Sequence, residues 1–302
     1  MNKKTVENLL KKFPETKINI PISPLTAYKI GGPADFFYEV ANINDLPELI
    51  GFCYKNAINY YILGGGCNTV FSDKGFRGMV IKITANEIEI EGNKVIAQAG
   101  ALLGQVILKA KENGLGGITK LIGLPGTIGG AVFGNAGAQG IEIKDFVEKV
   151  KLFDLEKGIH EEGPKYFEFN YRHSRLKDKK ELVLEVTLSL PPLNNEDFSS
   201  SVLNFRNLKQ PKGKSAGSFF KNPDPANPAG KLIDRAGLKG KRIGDIQVSE
   251  LHGNWLINIG NGTQEDLIKL AKFIKKEVKN RFNIDLELEN ILIDEYGSLI
   301  DI

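Results

Sequence analysis

Two spacings of hydrophobic residues alternate along the first half of the chain. Apolar positions three and four residues apart predict amphipathic helices over residues 6–13, 46–57 and 103–110. Asn44 is expected to cap the second of these helices, and Pro47 is tolerated in its first turn. Short apolar runs predict strands at residues 60–63 and 78–83, and a hairpin over residues 88–97.

The second half continues this mixture of short strands and helices. Strands are expected at residues 147–153, 182–190 and 255–259 and around Ile246. Pro191 and Pro192 interrupt the pattern and predict a domain boundary close to residue 193. Thr263 and Asp266 have the spacing of a capping box ahead of a helical apolar stripe over residues 267–278. The expected class is mixed α and β, with more strands than a doubly wound fold usually contains.

Residues 284–293 alternate apolar and polar side chains with one slip in phase. Apolar side chains occupy positions 284, 286 and 288, and then positions 291 and 293. The alternation alone makes Asp285, Glu287 and Glu289 the solvent face of a half-buried strand. The slip predicts a β-bulge or a bend near Glu289, and bulges re-aim side chains and are common beside active sites.

Glycine is concentrated between Gly114 and Gly140, where it takes ten of 27 positions. Glycine is costly to order and is kept where the backbone turns tightly or approaches something closely. The apolar residues interleaved among these glycines are Ile118, Leu121, Ile122, Leu124, Ile128, Val132 and Phe133. A solvated linker would not carry so many apolar residues, so the stretch predicts ordered backbone wrapped around a large ligand.

Neither of the two common phosphate-binding loops occurs in the sequence. The dinucleotide fingerprint requires G-x-G-x-x-G/A, whereas GGGCNT at residues 64–69 and GLGGIT at residues 114–119 both end in threonine. A Walker loop requires G-x-x-x-x-G-K-[ST], and Leu208 takes the place of its first glycine ahead of Gly213, Lys214 and Ser215. Backbone amides at glycine turns can still bind a pyrophosphate in another geometry.

Composition and charge exclude few classes of function. The 302 residues are 41% hydrophobic and 25% charged, and the net charge of +3 gives no argument for nucleic acid or an anionic membrane as a partner. Cys53 falls in a helical apolar pattern and Cys67 in a glycine loop, so both are expected to be structural. The three histidines show no metal-ligand spacing, so no metal site is expected.

The sequence also gives no sign of export. The N-terminal residues MNKKTVENLLKKF lack the apolar core of a signal peptide, and no apolar run is long enough to span a bilayer. A cytoplasmic location is therefore expected, with a small-molecule substrate and without an obligate protein partner.

Four polar segments outside the glycine stretch could carry chemistry, and each has a plainer interpretation. Residues 61–73 run from a strand into three glycines and the polar Asn68, which could also form a simple tight turn. YRHSR at residues 171–175 could be a solvated basic loop. In SAGSFFKNP at residues 215–223, polar side chains stand beside two phenylalanines, as they do in ligand pockets. The fourth segment is residues 284–293.

Taken together and in this order, these segments resemble the UDP-N-acetylenolpyruvoylglucosamine reductase family of flavoenzymes, which acts in bacterial cell-wall synthesis. The resemblance covers nearly the whole chain. It is carried by TAYKIGGPADFF (26–37), ILGGGCNTVFSD (62–73), GLPGTIGGAVFGNAGAQG (123–140), YRHS (171–174), SAGSFFKNP (215–223), AGLKGKRIGDIQVSELHGNWLINIGN (236–261) and LELE (286–289). One glycine loop is a weak signal, whereas seven segments in register are specific.

The resemblance implies a vanillyl-alcohol-oxidase (PCMH-type) FAD-binding domain of two α+β subdomains, followed by a smaller α+β substrate-binding domain. In this chain the three units are expected at residues 1–83, 84–193 and 194–302, with the last strand packing back on the FAD domain. Segments 28–32 and 135–137 are expected near the flavin. The FAD-binding residues implied by position are Gly64, Gly65, Gly66, Cys67, Asn68, Thr69, Gly123, Pro125, Gly126, Thr127, Gly129, Gly130 and Ala131.

The activity implied by the resemblance has two halves. NADPH reduces FAD, and hydride then adds to the enolpyruvyl double bond of UDP-N-acetylglucosamine enolpyruvate to give UDP-N-acetylmuramate. Arg172 matches the family's arginine, and a guanidinium suits the stabilisation of an enolate-like charge. Ser218 matches the proton donor, and Glu289 matches the carboxylic acid that polarises the substrate carboxylate. The substrate-binding residues implied are Tyr171, Lys209, Lys221 and Asn222.

Three residues depart from the family pattern, and one spacing indicates which class of the family the chain resembles. Cys67 stands where serine is usual, His173 where an acidic residue is common, and Asn290 where an apolar residue usually follows the glutamate. Only 45 residues separate Arg172 from Ser218 and none is tyrosine, so the chain resembles the shorter class, which lacks an insertion with a substrate-clamping tyrosine. Two rival interpretations stay open: another FAD oxidoreductase of the same fold, and a non-catalytic sugar-nucleotide-binding module.

Overall fold

The structure is a computed structural model that describes residues 3–194 and 198–302. Within these residues the α-helices are α1 (Lys3–Lys12), α2 (Leu46–Lys55), α3 (Leu103–Glu112), α4 (Ile128–Gly134), α5 (Ser199–Lys209), α6 (Ala229–Arg235) and α7 (Gln264–Phe282). The strands are β1 (Lys17–Pro21), β2 (Pro33–Val40), β3 (Tyr60–Leu63), β4 (Thr69–Val70), β5 (Phe76–Ile83), β6 (Ile88–Glu91), β7 (Lys94–Gln98), β8 (Gly137–Ala138), β9 (Ile141–Glu142), β10 (Val147–Asp154), β11 (Gly158–Glu162), β12 (Leu182–Ser189), β13 (Arg242–Ile243), β14 (Ile246–Val248), β15 (Leu256–Asn258) and β16 (Ile291–Leu292).

Three sheets organise these elements. The first has the strand order β1-β2-β5-β3, in which β2 and β3 both pair with β5 in parallel. The second, β11-β10-β12-β7-β6, is antiparallel throughout. The third is a short antiparallel sheet, β13-β14-β15. Each sheet buries one face against helices, because an amphipathic sheet and an amphipathic helix can each bury their apolar side only against another element.

The longest helix, α7, shows how the local sequence sets an element. Thr263 Oγ1 accepts the Asp266 N–H at 3.0 Å, and Asp266 Oδ2 accepts the Thr263 N–H at 3.2 Å, which confirms the predicted capping box. Leu267, Leu270 and Ile274 are completely buried against the third sheet and α6. The capping pattern and the apolar stripe therefore fixed both the start of α7 and its buried face.

The glycine stretch is ordered, as its interleaved apolar residues predicted. Ile118, Leu121, Ile128 and Val132 are completely buried in the core between α3, α4 and the second sheet. The stretch contains a 3-10 turn at Ile118–Leu121 followed by α4. A flexible linker is therefore excluded.

Most predicted elements are present, and the differences have local causes. Asn44 is not the cap of α2: Asn42 Oδ1 accepts the Asn44 N–H at 3.2 Å and starts a 3-10 turn, and the N-cap Asp45 makes no side-chain cap bond. Pro47 does lie in the first turn of α2. Strands β1 and β11 had no clear periodic signal, because both lie at the edge of a sheet, four of the five β1 residues are exposed, and no residue of β11 is fully buried.

The predicted slip near Glu289 is confirmed, although the predicted strand over residues 284–293 is regular only at β16. The N–H groups of Glu289 and Asn290 both point to the Phe219 carbonyl, at 2.9 and 3.4 Å, as in a β-bulge. Before the bulge, Leu288 bridges Phe220, and after it β16 pairs in parallel with β4. The chain therefore changes partner at Glu289.

We propose that the three units at residues 1–83, 84–193 and 194–302 are structural domains or subdomains. This division places one sheet in each unit, since β5 ends at Ile83 and β12 ends at Ser189. The pairing of β16 with β4 joins the end of the third unit to the first.

Candidate active site

The two glycine segments predicted to bind a cofactor lie against each other. A Cβ atom at Gly64 would be 2.7 Å from Thr127 Oγ1, and one at Gly65 would be 2.8 Å from Gly126 Cα. Thr127 Oγ1 also accepts the Gly130 N–H at 3.3 Å and so caps the start of α4. A side chain at position 64 would collide with the Thr127 hydroxyl and one at position 65 with the Gly126 backbone, so the contact explains both glycines.

The exposed edge of this loop pair fits the approach of a large ligand such as FAD. Gly65, Gly123 and Gly130 are exposed, and among the described residues other than its chain neighbours no atom lies within 4 Å of a Cβ built at Gly126. Packing therefore does not require glycine at position 126, whereas the φ of +114° does, and the open side of the loop leaves room for a ligand.

Gly126→Ala should weaken FAD binding about tenfold without a steric clash inside the protein. Alanine avoids the φ of +114°, and strain of about 1–3 kcal/mol would move the loop from its binding shape. Fluorescence titration of the apoprotein with FAD measures the dissociation constant. Gly51→Ala in α2, where an added Cβ also has no neighbour within 4 Å, is the matched control and should bind FAD as the wild type does. Equal affinity in all three proteins would exclude a special role for the Gly126 conformation.

The two cysteines have the structural settings that the sequence indicated. Cys53 is completely buried in the core, and burial raises the pKa of its thiol to about 12. Cys67 Sγ contacts the Gly65 carbonyl at 3.2 Å within the glycine loop, and burial raises the pKa of this thiol as well. Both thiols are therefore held in the unreactive protonated form at neutral pH.

Arg172 stands on a tight turn that is tied to the glycine stretch. Asn170 and His173 exchange backbone hydrogen bonds, and Arg172 has a φ of +55°, which is unusual for a residue with a side chain. The buried Asn135 donates to the Asn170 carbonyl at 2.8 Å, and the buried Ser174 donates to the Phe133 carbonyl at 2.7 Å. These contacts hold Arg172 in one place relative to the loops.

The Arg172 guanidinium pairs with Glu289, which is 117 residues later in the chain. Arg172 Nε donates to Glu289 Oε1 at 2.7 Å, and the two side chains are 24% and 19% exposed. A Cβ at Gly137 would lie 3.3 Å from Arg172 Nη1, so the guanidinium also lies against the predicted flavin segment 135–137. The structure thus brings together two of the three predicted catalytic residues.

Ser218 lies on the segment that pairs with Glu289. Phe219 accepts the Glu289 N–H through its carbonyl, and the Ser218 carbonyl accepts a hydrogen bond from Asn290 Nδ2 at 3.3 Å. The buried Asn254 holds this segment on its other side, because its side chain bonds both the N–H and the carbonyl of Phe220 at 2.9 and 2.8 Å. Ser218 is therefore on the strand segment that lies directly beside Glu289.

Three of the four predicted substrate-binding residues lie beside the Arg172–Glu289 pair. The Tyr171 ring stacks with the Arg172 guanidinium at 5.1 Å, and its hydroxyl accepts the Asn222 N–H at 3.4 Å. Lys221 Nζ pairs with Glu287 Oε2 at 3.1 Å. Lys209 is different: it is exposed at the end of α5, and the contacts found among residues 3–194 and 198–302 do not join it to the pair.

The sequence interpretation missed Lys177, which adds a third cation to this site. Lys177 Nζ donates to the Arg172 carbonyl at 2.7 Å. Burial is the main cause that lowers the pKa of Lys177, and the neighbouring Lys221 and Arg172 charges lower it further, whereas Glu289 raises it. A cluster of crowded cations favours an anionic ligand, because a bound anion relieves their mutual repulsion. The only signal in the sequence was the position of Lys177 within a run of basic residues.

The fold also gathers residues that sequence spacing did not connect. Asp154, His160 and Glu181 each place one possible ligand atom within 4.8 Å of the others, on three neighbouring strands or strand ends of the second sheet. His160 Nδ1 lies 3.1 Å from the Gly158 carbonyl and 3.7 Å from Asp154 Oδ2. Lys157 Nζ also lies 3.9 Å from Glu181 Oε1, so each carboxylate of this group has a basic side chain of the same chain beside it. In the described part of the chain, no helix has the length and apolar character needed to cross a membrane.

Comparisons with known proteins identify the family of this chain. Residues 34–162 match the family described as FAD binding domain, and residues 209–293 match the C-terminal domain of UDP-N-acetylenolpyruvoylglucosamine reductase. The reductase of Caldanaerobacter subterraneus subsp. tengcongensis is 41% identical over 283 residues, which cover 92% of this chain and 93% of the relative. The reductase of Caldicellulosiruptor saccharolyticus is 40% identical and covers 91% of both chains.

Solved structures give the same answer for the fold. The crystal structure of the reductase from Thermus caldophilus has a TM-score of 0.78 and 32% identity, covering 92% of this chain and 98% of its own. A Phl p 4 variant described as a glucose oxidase has a TM-score of 0.50 at 12% identity and shares the fold alone. The chain thus has the α+β architecture of an FAD-binding domain of the vanillyl-alcohol-oxidase type, followed by the C-terminal domain of the reductase. It belongs to the UDP-N-acetylenolpyruvoylglucosamine reductase family.

Proposed function

We propose that this chain reduces the enolpyruvyl group of UDP-N-acetylglucosamine enolpyruvate to give UDP-N-acetylmuramate, a peptidoglycan precursor, with NADPH as the reductant. The observation that carries the proposal is the Arg172–Glu289 pair: Arg172 lies against Gly137, and the Glu289 backbone bonds both Asn68 and Phe219. Membership of the reductase family supplies the substrate class and the cofactor.

We propose that the loops at residues 64–69 and 123–131 hold FAD through their backbone. The loop amides and the start of α4 suit the pyrophosphate, and exposed glycines let the ligand approach. When bound, FAD supplies the hydride chemistry between NADPH and the enolpyruvyl double bond. The chain's own residues then have to orient the substrate, stabilise negative charge and deliver a proton.

Arg172 is suited to bind the substrate carboxylate and to stabilise the charge that develops there. Hydride addition at the terminal carbon leaves negative charge on the adjacent carbon and its carboxylate. Because Arg172 Nε already bonds Glu289, the Nη1 and Nη2 edge of the guanidinium is the one suited to a carboxylate. Lys177 and Lys221 add positive charge around the same position.

Ser218 is proposed to donate the proton that completes the reduction. A hydroxyl is a weak acid in water, but a strongly basic carbanion at hydrogen-bond distance can take its proton, and solvent then restores it. Glu289 is proposed to polarise the substrate carboxylate while it shares a proton with it, and the Arg172 contact fixes the position of its carboxyl group. Lys221 and Asn222 are proposed to bind the substrate's diphosphate or nearby groups, and Tyr171 is proposed to contact the substrate beside them. Lys209 stays a prediction from the resemblance.

The test uses the purified protein loaded with FAD. We expect a yellow protein whose NADPH oxidation depends on UDP-N-acetylglucosamine enolpyruvate and yields one UDP-N-acetylmuramate per NADPH. Absorbance of NADPH and mass spectrometry of the product measure the two quantities. A yellow protein without substrate-dependent oxidation would indicate another FAD oxidoreductase of this fold. A protein that takes up no FAD would leave only the non-catalytic sugar-nucleotide-binding alternative.

A further inference from the structure

Asn290 is a buried polar residue that the proposed mechanism does not use. Its side chain is 3% exposed, and all its hydrogen-bonding groups have partners. Oδ1 accepts from the Tyr28 hydroxyl at 3.2 Å, and Nδ2 donates to Asn68 Oδ1 at 2.7 Å and to the Ser218 carbonyl at 3.3 Å. One acceptor and two donors are used at once, so the amide has a single favourable orientation.

Asn68 extends this network to Glu289. The side-chain Nδ2 of Asn68 donates to the Glu289 backbone carbonyl at 3.1 Å, and the Asn68 backbone carbonyl accepts the Ile291 N–H at 2.9 Å. Asn68 is part of the loop at residues 64–69 that we propose holds FAD. Two amide side chains therefore join the cofactor loop, the proposed proton donor segment and the backbone of the proposed acid.

The network lies at the bulge, where backbone hydrogen bonds alone do not fix the direction of the Glu289 side chain. Glu289 and Asn290 direct two successive N–H groups to one carbonyl, that of Phe219, so the regular ladder is interrupted there. At a bulge the direction of a side chain depends on the local contacts of the bulged residues. The hydrogen bonds from Asn68 and Asn290 supply those contacts for Glu289.

We propose that Asn290 is a positioning residue that fixes Glu289 and Ser218 relative to the flavin loop through Asn68. This inference deepens the proposed function and rests on it. Asn290 stands where the family usually has an apolar residue. The proposed positioning role therefore belongs to this chain and to relatives that carry the same amide.

Asn290→Leu removes the network at nearly constant side-chain volume. We expect reoxidation of the NADPH-reduced enzyme by the substrate to slow about 10- to 100-fold, because a displacement of about 1 Å at reacting groups has effects of this size. The rate of NADPH oxidation should stay within about twofold of wild type, since the described contacts of Asn290 do not include Arg172. The FAD dissociation constant should change less than the substrate half-reaction, because Asn68 loses one side-chain hydrogen bond and keeps its backbone bond to Ile291. Stopped-flow absorbance of the FAD-loaded enzyme separates the two half-reactions.

Gln264→Met is the matched control for loss of a buried amide. Gln264 is 5% exposed, and its Nε2 donates to the Val70 and Ile293 carbonyls at 3.0 and 2.8 Å, so it joins the same two segments farther along. Its loss should lower thermal stability and leave the ratio of the two half-reaction rates unchanged. Asn290→Ser, which is too short to reach both Asn68 and Ser218, replaces Asn290→Leu if the leucine variant does not fold.

Hydrogen exchange in the apoprotein gives a readout independent of turnover. The Glu289 and Ile291 amides should exchange about tenfold faster in the Asn290 variant than in wild type, and the Gln264 variant should leave the Glu289 amide unchanged. Unchanged exchange and an unchanged substrate half-reaction would overturn the proposal, and so would an equal fall in both half-reactions. Absence of turnover in the wild type would instead overturn the proposed function, and the exchange result would still decide whether Asn290 fixes Glu289.

Discussion

Ser218→Ala is expected to separate the two halves of the reaction. The variant should bind FAD and oxidise NADPH at the wild-type rate, whereas reduction of the substrate should fall about 100-fold or more. The physical reason is that removal of the hydroxyl takes away the proposed proton donor and leaves the backbone bonds of Ser218 and Phe219 in place. Stopped-flow measurement of each half-reaction gives the two rates.

A control and an isotope measurement make this result specific. Ser201→Ala removes a hydroxyl on α5 that bonds only the Phe198 carbonyl among its described contacts, and it should leave both rates unchanged. In wild type, D2O should slow the substrate half-reaction and not the NADPH half-reaction. If Ser218→Ala lowers both halves equally, Ser218 is a structural residue of the pocket.

Arg172→Lys is expected to lower substrate reduction about 100- to 1000-fold, because an ammonium cannot replace the guanidinium fork. Lysine would lose the 2.7 Å bond from Nε to Glu289 and the planar edge that suits a carboxylate. The NADPH half-reaction should continue, since Arg172 is proposed to act on the substrate alone. Steady-state and single-turnover kinetics with the substrate measure the loss.

Arg175→Lys is the matched control for the arginine substitution. Arg175 stacks on Tyr166 at 4.5 Å and pairs with Glu168 at 3.3 Å, so the same chemical change is made three residues away from the proposed site. Its activity should stay within about twofold of wild type. Wild-type turnover in Arg172→Lys would remove Arg172 from the active site.

Candidate site residues could be predicted from the sequence where they lie in a recognisable sequence pattern. The phase slip at Glu289 could be read because strand alternation has a strict period of two, and the structure shows the bulge there. Ser218 and Arg172 were predicted because their segments resemble family motifs. Lys177 lies outside those segments, and Asn135 and Asn254 lie within them without an assigned contact. Their contacts could not be predicted, because a single lysine or amide looks the same on a solvated loop as in a buried network.

The sequence by itself determined helices α1, α2, α3 and α7, the strands with a clear apolar pattern, the ordered glycine loops, and the residue types that can bind a carboxylate or donate a proton. These properties are local, since periodicity, capping and motif spacing involve residues within a few turns of each other. Only the tertiary structure decided that Arg172 meets Glu289 across 117 residues, and that Asn290 joins Asn68 to Ser218. Such contacts depend on sheet register and on a change of strand partner at a bulge, which the local sequence does not specify.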